Sequence, residues 1–194
     1  MRKSILLLAF SFVLLLVGCA PNYMVAKEHC VDIRGVVPSP GKSALVVGRT
    51  TTFGSGVNVD NYLDKNFIGT TKGRSFFVTS VEPGRHYITS QAENLDTVLL
   101  NFEPGKTYYL LNSIRMGVLF ARSKYYLMDA QQFYNDMDGT CNFYEIDKTG
   151  PGSDLSDERY KQVVDDYKKE HGDIPVNQTV SYQVPAKTVV KEKE

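Results

Sequence analysis

The sequence predicts a mainly β protein: an antiparallel β-sandwich of immunoglobulin-like or transthyretin-like shape, with a short helix and a C-terminal helix. The prediction depends on the stretch from Ser43 to Met128, where runs rich in β-branched and aromatic residues are separated by turn residues. Such residues suit a pleated surface that is buried on one face. About seven short strands with regular turns are typical of a sandwich.

The strands can be assigned in chain order. "SALVVGR" is the first, and "VNVDNYL" and "FIGT" form a hairpin around Asp64-Lys65-Asn66. Five further runs follow, namely "RSFFVTS", "RHYITSQA", "DTVLLNF", "KTYYLLNSI" and "GVLFARSKYYLM". Glu-Pro-Gly occurs at 82–84 and again at 103–105. Because proline presets φ and glycine accepts a positive φ, both copies predict type II turns between antiparallel strands.

Two helices are predicted after the strands. "DAQQFYNDM" indicates a short helix with Asp129 as its N-cap. The second helix follows Ser156 and stops at Gly172. Its apolar residues form one stripe at helical spacing: Tyr160, Val163, Val164 and Tyr167. The stripe either packs on its own domain or, if it is exposed, binds a partner.

The N-terminus has the pattern of a secretory signal peptide. A positive start is followed by thirteen residues, Ile5 to Val17, that are apolar apart from Ser11. This run is shorter than the roughly 20 residues that a helix needs to span a bilayer. A short apolar segment that ends in small residues is typical of a cleaved signal peptide.

The end of this segment, Leu16-Val17-Gly18-Cys19, resembles the lipobox of bacterial lipoproteins. The resemblance implies that Cys19 receives a diacylglyceryl thioether, that the chain is cut before it, and that its new amino group is acylated. Two or more acyl chains anchor a protein firmly in a membrane. Ala20 stands where Asp would favour inner-membrane retention, so we expect the outer membrane, facing the periplasm. The alternative is an ordinary signal peptide with a chance cysteine.

Two cysteines remain after cleavage, Cys30 and Cys141. In an oxidising compartment they are expected to form a disulfide, which would stabilise the fold by roughly 4–5 kcal/mol in the chain-entropy model. The alternative is two free thiols. His29 lies beside Cys30, but one His–Cys pair lacks the four ligands of a structural zinc site. No metal site and no cofactor are therefore expected.

These observations divide the chain into five parts. Residues 1–18 are the lipoprotein signal peptide, and residues 19–40 are a lipidated N-terminal tether. Residues 41–146 form the β-sandwich domain. Residues 147–172 contain a linker and the C-terminal amphipathic helix, and residues 173–194 are expected to be a flexible tail.

Four segments carry a further resemblance. In order, "ALVVGR", "VNVDNYLDKNFIGT", "SFFVTSVEPGRHYITSQAE" and "FEPGKTYYLLNSI" resemble segments of an uncharacterised bacterial lipoprotein family filed as domain of unknown function 2846. They are also similar to the short β-domains called PEGA. The first hairpin departs from both, since it has "DKN" where these families often have Asp-Gly or Gly-Lys. The resemblance implies an envelope β-sandwich on a lipid anchor, without a known catalytic site.

One stretch, "YNDMDGTCNFYE", can be aligned with a calcium-binding EF-hand loop. Asp136 and Asp138 take the third and fifth positions, Gly139 the sharp turn, and Glu145 the twelfth. The first position is Tyr134, which lacks a carboxylate. An acidic turn near the end of the domain is therefore the favoured interpretation.

Sequence motifs for catalysis are missing. The chain contains no Gly-x-Ser-x-Gly elbow, His-Glu-x-x-His motif or phosphate-binding glycine loop. His86 alternates with Ile88 in a strand, so we expect a hydrogen-bonded histidine of the core or sheet surface. Carboxylate pairs of the glycosidase type remain open, because their spacing cannot be read from a sequence.

The expected function is a non-catalytic binding or structural module, held to the membrane by lipidated Cys19. Its partner would be an envelope protein, peptidoglycan or another copy of the chain. Nucleic acid is excluded as a partner, because cleavage leaves 20 basic against 22 acidic residues and no basic stripe. The alternative is an envelope hydrolase that acts on glycan or peptide through carboxylates. Two carboxylates in a cleft would favour the enzyme. A flat tyrosine-rich face, or an uncovered Tyr160–Tyr167 stripe on the last helix, would favour the module.

Overall fold

The computed structural model describes residues 24–26, 33–51, 56–116, 121–137, 144–146 and 152–178. Their strands are β1 Met24–Ala26, β2 Ser43–Arg49, β3 Val59–Leu63, β4 Asn66–Thr71, β5 Ser75–Val81, β6 Gly84–Gln91, β7 Leu95–Phe102, β8 Thr107–Met116, β9 Ala121–Met128 and β10 Tyr144–Ile146. The α-helices are α1 Ala130–Met137 and α2 Asp157–His171, and 3₁₀ turns lie at Ile33–Gly35 and Val176–Gln178.

Eight of these strands form two four-stranded sheets. Sheet 1 has the order β5-β2-β8-β9, and sheet 2 has the order β4-β3-β6-β7. Within them one pair, β2 with β8, is parallel, and the other pairs are antiparallel. β1 pairs with β10 in a separate two-stranded sheet that lies beside β4 and β5. The predicted β-sandwich with a short helix and a C-terminal helix is confirmed.

The apolar core lies between the two sheets. Leu45 and Leu110 of sheet 1 and Ile88 and Leu100 of sheet 2 are each 0% exposed. They alternate along their strands with residues of the opposite face, as the pleat requires. Each such side chain stabilises the fold by about 1.5–3 kcal/mol relative to an exposed one.

A helix covers the outer face of each sheet. Phe133 of α1 packs with Val46 on the outside of sheet 1, together with Ile33 of the first 3₁₀ turn. On the outside of sheet 2, α2 buries Val163 and Tyr167. The described chain is thus layered helix, sheet, sheet, helix. The apolar stripe of α2 packs on its own domain.

One region of the interior is polar. Asn61 and Asn112, on facing sheets, are 0% and 1% exposed. The Nδ2 of Asn112 donates to the Oδ1 of Asn61 at 3.2 Å, and the Tyr125 hydroxyl donates to the same oxygen at 2.5 Å. Buried polar groups are costly unless they are hydrogen-bonded. These bonds therefore favour one register of sheet 1 against sheet 2.

The Glu-Pro-Gly turns differ from the prediction. The first joins β5 to β6 and the second joins β7 to β8, so each carries the chain from one sheet to the other. The expectation that both connect paired antiparallel strands is therefore wrong. Gly105 has a φ of 77°, close to the +80° or so of a type II turn, whereas Gly84 has a φ of 130°. The residues of a turn determine its local backbone, and contacts elsewhere decide which strands pair.

The predicted helix boundaries are confirmed. The Asp129 Oδ1 accepts the N–H of Gln132 at 2.8 Å at the start of α1. At the start of α2, the Ser156 Oγ accepts the N–H of Arg159 at 3.2 Å. Gly172 follows α2 with a φ of 66°. None of the described helices is both long and apolar enough to cross a membrane.

Parts of the predicted tether and tail have regular structure. Within residues 19–40, β1 pairs with β10, and Ile33 is 3% exposed. Within residues 173–194, the second 3₁₀ turn packs against β7. The sandwich therefore has contacts with chain on both sides of residues 41–146.

Candidate functional site

A cleft of about 450 Å³ lies between α2 and the beginning of β7. Its strand wall consists of three successive residues, Leu95, Asp96 and Thr97. Its helix wall consists of Arg159, Gln162, Val163, Asp166, Tyr167, Glu170 and His171. The volume is within the range of small ligand sites.

Buried aromatic contacts hold the helix wall in place. The rings of Tyr167 and Tyr87 meet edge to face, with centroids 5.7 Å apart. Two turns earlier in α2, the Tyr160 hydroxyl donates to the Oδ1 of Asp64 at 3.3 Å. Burial, together with the charge of Asp64 and the hydrogen bond to it, raises the pKa of Tyr160 to about 12, so the hydroxyl keeps its proton. The helix wall is therefore fastened to sheet 2 by both packing and hydrogen bonds.

Asp64 also forms an ion pair with His86 beneath the start of α2. The Nδ1 of His86 lies 2.8 Å from the Asp64 Oδ2, and its Nε2 lies 3.1 Å from the carbonyl oxygen of Glu82. Both partners are acceptors, so the doubly protonated imidazole makes both bonds. The bond to Asp64 raises the pKa of His86 against the lowering effect of burial. His86 is thus a hydrogen-bonded sheet histidine, as expected.

The pKa of Asp64 shifts in the opposite direction. Burial alone would raise it, but the hydrogen bonds from His86, from the N–H of Tyr87 and from Tyr160, with the His86 charge, lower it overall. Asp64 has a φ of 54° in the turn between β3 and β4. This turn therefore places one carboxylate where it links sheet 2 to α2.

Along several sheet edges, side chains form hydrogen bonds with the backbone N–H groups that no neighbouring strand engages. We call an edge capped where a side chain hydrogen-bonds its outward N–H groups. The N–H of Phe67 on β4 donates to the Asp154 Oδ1 at 2.8 Å. On β9, the N–H groups of Ala121, Ser123 and Tyr125 donate to Glu93, Asn94 and Asp96 respectively. Capping prevents such edges from pairing with another chain.

The far end of β7 is capped as well. The N–H of Asn101 donates to the Asn177 Oδ1 at 3.0 Å, and the Asn177 Nδ2 donates to the Asn101 carbonyl at 2.8 Å. The backbone of Leu99 lies near the Tyr167 hydroxyl and lowers its pKa against the larger, raising effect of burial. Thr97 and Leu95, further along the same edge, line the cleft instead. Within the described ranges, no strand and no side chain bonds the N–H groups of these two residues on the outer side of β7.

Asp96 connects the cleft to the far sheet. Its Oδ2 accepts the N–H of Tyr125 at 2.7 Å. Burial raises the pKa of Asp96, while the bond from Tyr125 and the charges of Lys124 and His171 oppose the rise. One of its oxygens is therefore engaged in structure, although the residue borders the cleft.

The other charges of the cleft lie on α2. Asp166 and Glu170 are one turn apart on the same face of the helix. The Arg159 Nη1 donates to the Gln162 Oε1 at 2.9 Å, and the His171 Nε2 lies 3.7 Å from the Glu170 Oε2. With Asp96, the cleft has three carboxylates against one guanidinium and one imidazole. Its charge is therefore negative at neutral pH.

Of the helix stripe singled out from the sequence, Val163 and Tyr167 line the cleft. Cys19, Cys30 and Cys141 lie outside the described residues. Of the EF-hand-like stretch, Tyr134 and Asp136 are in α1 and Glu145 is in β10, while Asp138 and Gly139 lie outside the described residues. Among the residues that the structure does describe, no three His, Cys, Asp or Glu side chains gather as metal ligands do.

Sequence reasoning missed the cleft. The polar face of α2 had the pattern of an ordinary solvated helix face, so Asp166 and Glu170 carried no separate signal. Asn94 and Asn177 had the pattern of turn and tail residues. Their roles depend on which backbone they meet in the fold, and that information lies in contacts that are distant along the chain.

Comparisons with known proteins add little about activity. No family model matches the chain, and no solved structure matches it. The chain is similar to an uncharacterized protein of Haemophilus influenzae, with 30% identity over 107 residues. The match covers 54% of this chain and 64% of that protein, so it spans less than two thirds of the relative's length. The resemblance to domain of unknown function 2846 stays a prediction.

Proposed function

We propose that the protein is a lipid-anchored bacterial envelope protein whose β-sandwich is a non-catalytic binding module. The lipobox-like end of the signal peptide, at Cys19, supports the anchor. Ala20 supports the outer membrane, with the domain facing the periplasm. The resemblance of four segments to domain of unknown function 2846 is in keeping with a bacterial lipoprotein.

The observation that carries the binding function is the cleft at the uncapped part of β7. Elsewhere on β4, β7 and β9, side chains occupy outward N–H groups. At Leu95 and Thr97 the same strand instead borders a polar cleft of about 450 Å³. Backbone N–H groups and a few polar side chains that converge in a cleft can fix the orientation of a bound ligand. The partner is an envelope protein, peptidoglycan or another copy of the chain.

Intact mass of the membrane-extracted protein tests the anchor. We expect cleavage before Cys19, the added mass of acyl chains, and a gain of two hydrogens on reduction. Cys19→Ala should give a chain without acyl mass that leaves the membrane fraction. An unlipidated wild-type mass would contradict the anchor.

Crosslinking in living cells tests the binding function. A photo-crosslinking residue at Gln162, inside the cleft, should capture one defined envelope component. The same residue at Lys161, which is exposed on α2 but does not line the cleft, is the matched control. Equal capture from both positions would contradict a site in the cleft.

Carboxylates that share the cleft favour the alternative, an envelope hydrolase that acts on glycan or peptide, and the packed stripe of α2 removes one argument for the module. Asp96, whose pKa is raised by burial, shares the cleft with Asp166 and Glu170, and a raised carboxyl pKa suits a general acid. Release of soluble fragments from purified peptidoglycan by the wild type, but not by an Asp166→Asn, Glu170→Gln variant, would establish this function in place of the first.

A further inference from the structure

The cleft includes the edge of β7 itself, in addition to one face of sheet 2. Side chains alternate between the two faces of a strand, so successive residues cannot line a cleft through a single face. Leu95, Asp96 and Thr97 all line it. The cleft therefore extends over the edge, where the backbone is accessible between the two faces.

The outward N–H groups at this edge can be identified from the hydrogen bonds of the neighbouring strands. On β6, the backbone N–H and carbonyl of Tyr87 both bond Asp64, which lies on the side of β3. The backbone groups of the odd-numbered residues of β6 therefore point towards β3, and those of the even-numbered residues point towards β7. In the register of β6 with β7, the backbone groups of the even-numbered residues of β7 point towards β6. Those of the odd-numbered residues point towards the free edge; they are Leu95, Thr97, Leu99 and Asn101. The bonds of Asn101 to Asn177 agree with this assignment.

We propose that the cleft binds an extended peptide with basic side chains, which adds as a strand to β7 at Leu95 and Thr97. The inference rests on the proposed binding function and names the class of its ligand. Strand addition to an exposed edge is an established mode of peptide recognition, in which backbone bonds give affinity and side-chain contacts give specificity. Leu95 and Thr97 are about 7 Å apart along a strand, which suits a peptide of about three to five residues.

Charge complementarity selects the kind of peptide. Asp96, Asp166 and Glu170 outnumber Arg159 and His171 in the cleft, and Arg159 is already bonded to Gln162. A lysine or arginine side chain of a bound strand would lie near Asp166 and Glu170 on the helix wall. An acidic peptide would meet the same carboxylates and be repelled.

The chain's own C-terminus is a poor occupant. It reaches β7 at Asn101, through Asn177. To continue as a strand towards Thr97 it would have to displace the Tyr167 hydroxyl, which lies near the backbone of Leu99 and donates to the Ile174 carbonyl at 2.8 Å. A separate peptide can enter at Thr97 without disturbing these bonds.

The test uses the full lipidated protein in detergent and a phage library of random heptapeptides. We expect enriched sequences with Lys or Arg at alternate positions. A synthetic copy of the most enriched peptide should slow the amide exchange of Leu95 and Thr97. It should leave Asn101, whose N–H is already bonded to Asn177, unchanged. Asp166→Asn with Glu170→Gln should weaken binding about threefold to tenfold, whereas Asp165→Asn, exposed but outside the cleft, should not.

Several results would overturn the inference. These are the absence of enriched peptides, acidic consensus sequences, or protection outside β7. Slow amide exchange at Leu95 and Thr97 without peptide would mean that another segment already occupies the edge. If the protection vanished on deletion of 179–194, the occupant would be the tail. If it rose with protein concentration, the occupant would be a second copy of the chain. Capture of glycan at Gln162 would refute the peptide but keep the binding function. An unlipidated mass would refute the anchor and leave the peptide result standing.

Discussion

The Asn177 side chain bonds both backbone groups of Asn101, accepting from its N–H at 3.0 Å and donating to its carbonyl at 2.8 Å. A residue of a neighbouring strand makes the same two bonds. Asn94 does this for Ser123 of β9, at 2.7 Å and 3.0 Å. A single side chain therefore replaces a strand residue at each of two sheet edges.

Asn177→Ala should destabilise the end of β7. The change leaves the N–H and carbonyl of Asn101 without their partner, and we expect the free energy of unfolding to fall by about 1–2 kcal/mol. Urea unfolding measures the loss, and faster amide exchange at Asn101 locates it. Asn58→Ala, an exposed asparagine before β3, should change the free energy by less than about 0.5 kcal/mol. Equal effects of the two changes would argue against the edge role.

Asn94→Ala should make the protein prone to association. It removes the partner of both backbone groups of Ser123 in the middle of the β9 edge, and an open strand edge pairs with other chains. We expect light scattering to begin at a lower temperature than in the wild type. For Asn94→Asp, which keeps the acceptor for the Ser123 N–H, scattering should begin at a temperature between those of the wild type and Asn94→Ala. A variant that stays as soluble as the wild type would contradict this role.

The His86–Asp64 pair should make stability depend on pH. The pKa of His86 is raised above its usual 6.5, so the stabilisation by protonated His86 is complete below about pH 6.5 and is lost as the pH rises through the raised value. The pKa of Asp64 is lowered below 3.8, so the stabilisation by ionised Asp64 is lost only as the pH falls below that value. The contribution is therefore largest between these limits.

Melting temperatures of the wild type and His86→Gln measure this dependence. The difference between them should be larger at pH 5.5 than at pH 9, because only the protonated ring pairs with Asp64. His171→Gln is the control, since the His171 side chain is 57% exposed and should add little at either pH. A difference that does not change with pH would show that His86 contributes by packing alone.

The strands and helix ends were predictable because their signals are local. β2 follows "SALVVGR" residue for residue, and Ser156 and Gly172 bound α2 through bonds within one turn. The connections after β5 and β7 were not predictable in the same way. Glu-Pro-Gly specifies a turn, but the core packing of the flanking strands assigns them to different sheets. Phe77 of β5 and Leu110 of β8 enter the core from sheet 1, and Ile88 and Leu100 enter it from sheet 2.

The cleft depends on contacts that are remote in sequence. Thr97 and Asp166 line the same cleft although 69 positions separate them. Tyr160 and Tyr167 were expected to face one side of α2, and they do. The strand wall of the cleft, however, is positioned by the pairing of β6 with β7. Periodicity along one helix therefore predicted its buried side and could not predict what its polar side faces.

Cys30 and Cys141 lie outside the described residues, so their disulfide stays a prediction. On that prediction, Cys30→Ser should lower the melting temperature under oxidising conditions and have little effect in the presence of a reductant. An unchanged melting temperature under both conditions would indicate two free thiols.

Gly48→Ala should destabilise the contact between sheet 1 and α1. A Cβ at Gly48 would lie 2.6 Å from Cζ of Phe133 and 3.0 Å from Cβ of Phe76, and Phe133 is 0% exposed. Overpacking of this kind costs about 1–3 kcal/mol. Combining it with Phe133→Leu, which removes the clashing ring, should cost less than the sum of the two single changes. Gly35→Ala, which meets nothing within 4 Å, is the control, and simple additivity in urea unfolding would contradict the proposed clash.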